Sequence, residues 1–165
     1  MTRYEELTEL GNACAVAFEQ AKLGCWDFAG RLAEGLAAYL GCPAGSASYH
    51  QFHPELAGDQ RWGKPIWDLG MGKAFPFHEA KLIDDGYWCI GLEFSFGDMV
   101  VRQALGVKPS GDCFLVRLGG KGAEIQPGDD GGLERLFDAW YAGIKEDFRT
   151  PIDKPRSFIG FRAKG

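Results

Sequence analysis

Long apolar runs are missing from this chain. No window approaches the roughly 18 consecutive apolar residues of a membrane-spanning helix, and the opening MTRYEELTEL carries charge where a signal peptide would be apolar. No membrane association is expected, and a cytoplasmic location follows by elimination. Positive charge is the minority sign. With 18 Lys and Arg against 23 Asp and Glu, the net charge is -5 and the pI about 5.2, the wrong sign for gripping a phosphate backbone, so nucleic acid is not an expected partner.

Paired cysteines are also lacking. Cys14, Cys25, Cys42, Cys89 and Cys113 are odd in number, scattered and never spaced as Cys-x-x-Cys, which argues against a disulfide framework and a zinc knuckle. Most read as small buried hydrophobes. Catalytic signatures are missing too. The run Gly119, Gly120, Lys121, Gly122 lacks the Gly-x-x-x-x-Gly-Lys-Ser/Thr spacing of a phosphate loop and reads as turn chemistry. No Gly-x-Ser-x-Gly elbow supports a serine triad. Neither internal repeats nor low-complexity blocks occur.

What is present describes one α+β domain over residues 1–165. The length, with 45% hydrophobic and 25% charged residues, suits a single hydrophobic core. The most legible stretch runs from Ala74 to Phe96. There AFPFHEAKL and YWCIGLEFSF read as antiparallel strands joined at an Asp-Gly turn. Trp88, Ile90, Leu92, Phe94 and Phe96 alternate with Tyr87, Cys89, Gly91, Glu93 and Ser95, the period of a strand with one buried face.

Helices on either side supply the cover. Thr2 and Glu5 have capping-box spacing, and Tyr4, Leu7, Leu10, Cys14, Ala17, Phe18 and Ala21 then recur at helical steps. Gly24 is expected to interrupt this helix, since glycine costs about 1 kcal/mol in a helix interior. A second helix over Trp26 to Leu40 then completes a helical hairpin, stopped by Gly41 and Pro43. The last helix carries the cleanest stripe: Leu133, Leu136, Phe137, Trp140, Ile144 and Phe148, with Asp129 and Asp130 at its start.

Other segments complete the sheet. Met99 to Leu105, behind Asp98, fits a short helix slightly better than a strand. Cys113 to Leu118 and Ala123 to Gln126 read as a second hairpin, and Ser157 to Arg162 as a short edge strand. The fold expected is a mostly antiparallel sheet of four or five strands, covered on one face by the N-terminal helical hairpin and the C-terminal amphipathic helix.

From Pro43 to Gly72 the periodicity fails, and a long irregular connection in a compact domain is usually functional. It contains Trp62, Lys64 and Trp67, the residue types that anchor interfaces. Glu93 stands mid-strand opposite the apolar face, where Arg102 or Lys81 could pair with it across the sheet. Asp84, Asp85 and Glu93 suggest a metal-dependent nuclease only until Ser95 is found where the catalytic lysine belongs.

Two functional classes follow. The first is a non-enzymatic binding or inhibitory protein, immunity-like or regulatory, that meets a protein partner of basic surface through Trp62, Lys64, Trp67 and Glu93 on the loop and the open sheet face. It expects no cofactor. The second is a metal-dependent enzyme in which His53 and Glu55, two residues apart in extended chain, join His78 as a two-His, one-carboxylate set for a divalent metal. His50 cannot form a helical pair with His53, because Pro54 excludes the helical region for the residue before it.

Overall fold

The structure, a computed structural model, describes residues 1–151 in full and the backbone of 161–163. It has the α+β architecture expected from the sequence. Two helices, α1 (Arg3–Leu40) and α2 (Asp130–Arg149), flank eight strands. These are β1 (Ala47–Phe52), β2 (Trp62–Asp68), β3 (Lys81–Leu82), β4 (Trp88–Phe96), β5 (Met99–Ser110), β6 (Cys113–Leu118), β7 (Lys121–Ile125) and β8 (Phe161–Ala163). The strand order is β2-β1-β4-β5-β6-β7, with β3 added beside β4 and β8 beside β5. Every pairing is antiparallel. No helix among the described residues is long and apolar enough to cross a membrane.

Both helices cover one face. Ile90, Leu92 and Phe94 of β4 join Cys25, Phe28, Leu32 and Leu36 of α1 and Leu136, Phe137, Trp140 and Ile144 of α2 in one buried cluster. Phe28 stacks on Phe114 and Trp140 packs on Phe94. Inside this core Trp140 Nε1 donates to Gln103 Oε1 at 3.2 Å, which satisfies the one polar end of the indole. The capping box at Thr2 and Glu5 forms as expected, and Asp129 caps α2 by accepting from the Gly132 amide.

Four sequence expectations are corrected. The N-terminal helical hairpin is a single 38-residue helix that runs straight through Gly24. About 1 kcal/mol of glycine cost is outweighed because the apolar stripe continues in phase from Phe18 and Ala21 into buried Cys25, Phe28 and Leu32. The region from 99 to 105 is strand, not helix. Gly97, at φ 62°, makes the tight turn that returns β5 along β4, with Phe96 opposite Met99.

The first arm of the central hairpin shrinks to β3, because residues 77–79 form a 3-10 turn behind Pro76. β4 instead finds its long partners in β1 and β5. Much of the irregular stretch from 43 to 72 is strand as well. β1 and β2 pair with two irregularities in register, and β2 tolerates Pro65 because it lies at the sheet edge. The sheet is therefore wider than the four or five strands expected. Of the tail strand read over Ser157 to Arg162, residues 157–160 lie outside the described residues, while β8 pairs with Met99 to Val101.

Candidate functional site

The face of the sheet away from the helices carries the candidate site. Alternation along β4 sends Cys89, Gly91, Glu93 and Ser95 to this side, opposite the buried Ile90, Leu92 and Phe94. Cross-strand register then does the rest. Glu93 stands opposite Arg102 of β5 and opposite Ser48 of β1, with His50 facing Gly91 one step along.

These positions assemble a triad of ionisable side chains. Arg102 Nε donates to Glu93 Oε2 at 2.8 Å, and His50 Nε2 lies 3.5 Å from Glu93 Oε1. The expected pairing of Glu93 with Arg102 is thus the one formed. His50 is buried, and its Nδ1 faces the Gly63 carbonyl at 3.4 Å. The side chains of Arg102 and Glu93 are only 13% and 20% exposed, so the pair is shielded from most screening.

An aromatic wall stands over the triad. The Arg102 guanidinium lies 5.9 Å from the Trp62 ring, and Trp62 packs on Phe52 with centroids 5.1 Å apart. Both join Tyr87 and Cys89 in a second apolar cluster on this face. Beside them opens a groove of about 460 Å³, lined by Phe52, Trp62, Arg102 and Ala104 together with exposed Arg61 and Asp59. Farther along, Arg117 stacks 3.8 Å from the Tyr87 ring and pairs with Asp85 at 2.5 Å. Arg117 holds the Asp85 carboxyl below the ordinary carboxylate range.

The residues singled out in the sequence are divided by this geometry. Trp62 and Trp67, five positions apart, sit on opposite sides of β2: Trp62 belongs to the groove, and Trp67 packs against the helix-side core. Lys64 is exposed on β2 and its amide donates to Gln51 Oε1 at 3.3 Å. His53 Nδ1 lies 3.6 Å from Glu55 Oε1. His78 lies on the 3-10 turn at Phe77–Glu79, against the Phe77 ring. Among the described residues, no group of three His, Cys, Asp or Glu side chains is placed to hold a metal ion.

Arg61 and Phe52 were not singled out by the sequence, and His50 entered it only as a metal-ligand candidate. The available signal was the alternation of Ser48, His50 and Phe52, which becomes readable once β1 is known to be a strand beside β4. Comparisons with protein-family models, with curated proteins and with solved structures give no match to this chain.

Proposed function

We propose that this protein is a non-enzymatic binding protein whose partner docks on the open sheet face, at the groove between Phe52, Trp62, Arg61 and Arg102. The observation that carries the reading is the mutual engagement of the ionisable groups on this face. Glu93 is held between Arg102 and His50, and Asp85 is held by Arg117. Charges so engaged serve to fix a surface rather than to exchange protons with a substrate. An aromatic wall beside a shielded arginine is the composition of interface anchors. The net charge of -5 favours encounter with a basic partner.

Affinity capture from native lysate, with the full chain as bait, tests this. Asp59→Arg and Arg61→Ala change exposed side chains that line the groove, and Asp59→Arg in particular should deplete a basic partner. Trp67→Phe, on the other side of the strand, should leave it bound. A partner list unchanged by the groove variants would remove this face from consideration.

The second reading, a metal-dependent enzyme, is supported by the approach of His53 to Glu55. Its test is metal content of protein purified without a histidine tag. Stoichiometric divalent metal, lost in a His53→Ala/His78→Ala variant, would establish that reading in place of the first.

A further inference from the structure

The first half of α1 is an exposed amphipathic helix on which, among the described residues, little packs before Phe18. Every residue from Met1 to Gln20 is exposed, and α1 first meets the sheet where Phe18 approaches Trp88, ring centroids 6.0 Å apart. The stretch from Arg3 to Phe18 therefore projects about 24 Å beyond the domain at 1.5 Å per residue. Its apolar stripe is the same one that continues as buried Cys25, Phe28, Leu32 and Leu36. Tyr4, Leu7, Leu10 and Phe18 remain 80%, 68%, 60% and 49% exposed. A free helix of this length is marginal in water, and although Val16 is exposed on the outer side, the stripe from Tyr4 to Phe18 marks an interaction surface.

We infer that this segment is a homodimerisation helix, whose occupant is the same segment of a second copy, packed antiparallel. Area is the first argument. Tyr4, Leu7, Leu10 and Phe18 together expose on the order of 500 Å² per chain, at the small end for a specific interface and in keeping with a dimer that dissociates on dilution.

Self-complementarity is the second. Written as heptads, Tyr4, Gly11 and Phe18 fall at one seam position and Leu7 and Cys14 at the other. An antiparallel pairing that stops short of the sheet sets Tyr4 over Cys14 and Leu7 over Gly11 of the second copy. Leu10 then meets its own counterpart near the two-fold axis. Tyr4 and Leu7 each face a small residue, and every contact recurs with the two chains exchanged, as in an isologous interface. A parallel pairing would instead leave Gly11 facing Gly11 and bring both sheets to the same end.

Charge placement is the third. Glu5, Glu6 and Glu9 lie on the outer side of the helix, while Thr8, Ala15 and Ala17 flank the seam. Apart from Arg3, at the same heptad position as Leu10 and Ala17, these flanks carry no charge, and they let the helices approach closely.

Sedimentation equilibrium of the full chain should give a mass near twice 18.1 kDa, falling toward the monomer on dilution. Leu7→Asp and Leu10→Asp alter side chains exposed in the monomer, so the domain should stay folded while the dimer dissociation constant rises at least about tenfold and the unpaired arm loses helicity. In a Cys14→Ser background, a short bifunctional thiol reagent should cross-link Leu10→Cys between chains and not Glu6→Cys. A wild-type chain that stays monomeric at high concentration would overturn the inference. So would a dimer indifferent to both aspartates, or one cross-linked equally through residue 6.

Discussion

The Trp62 ring passes 2.5 Å from where a Cβ on Gly91 would stand, so the aromatic wall of the open face rests directly on the backbone of β4. Glycine at 91 is therefore required by the close approach of the indole. Gly91→Ala should push the ring off the strand and cost about 1–3 kcal/mol, the range for overpacking a well-filled site. Urea denaturation should show the loss, with tryptophan emission shifted to the red. Adding Trp62→Ala should lower the cost of the alanine at 91, measured against Trp62→Ala alone, leaving only the part set by the His50 carbonyl 3.1 Å away.

Glu93 and Arg102 should be strongly coupled. Removing one member of a shielded ion pair leaves the other uncompensated, so Arg102→Met and Glu93→Leu should each destabilise by about 2–4 kcal/mol. The double variant Glu93→Leu/Arg102→Met replaces both charges with apolar groups and should cost less than either single change. Equilibrium unfolding of the four proteins decides this. Additive losses would mean that the pair is held in place without holding the sheet together.

How much of this was legible beforehand depends on what each segment packs against. β6 and α2 each bury one side, and the large apolar residues of β4 fall on one face, so their periods of 2 and 3.6 stand out in the sequence. β5 buries Val101, Leu105 and Val107 on one face and Val100 on the other, which blurs the alternation until 100, 101, 104 and 105 resemble a helix. Gly24 misled because local propensity weighs less than a stripe that stays in phase across it. His50 and Glu93 could not be joined from sequence, because their contact is created by the register of β1 on β4. A one-residue slip would send them to opposite faces.

The five thiols should react in a fixed order. Burial pushes Cys25 and Cys89 up to about 11, so neither forms thiolate at neutral pH. Cys42 and Cys113 are also raised by burial and are partly accessible, and Cys14 alone is exposed. Under native conditions, at a dilution where the chain is monomeric, a disulfide-exchange reagent should modify Cys14 first, Cys42 and Cys113 slowly, and Cys25 and Cys89 only in denaturant. Mass spectrometry of a labelling time course reads this directly. Fast modification of Cys89 would mean that the apolar cluster on the open face opens readily.

Asp85 sets an acid-side prediction. The Arg117 guanidinium depresses its carboxyl in the folded chain, first through their hydrogen bond. A depressed folded-state value means that the unfolded chain takes up the proton first as pH falls. The pair therefore stabilises fully above the ordinary carboxylate range, and that contribution fades as pH drops toward the lower folded value. Both side chains are about half exposed, so the effect should be modest and should shrink in high salt. Urea midpoints measured from neutral pH downward should fall more gently for Asp85→Asn than for the wild type. Equal slopes would show that the Arg117 contact brings no stability and serves only to orient the guanidinium over Tyr87.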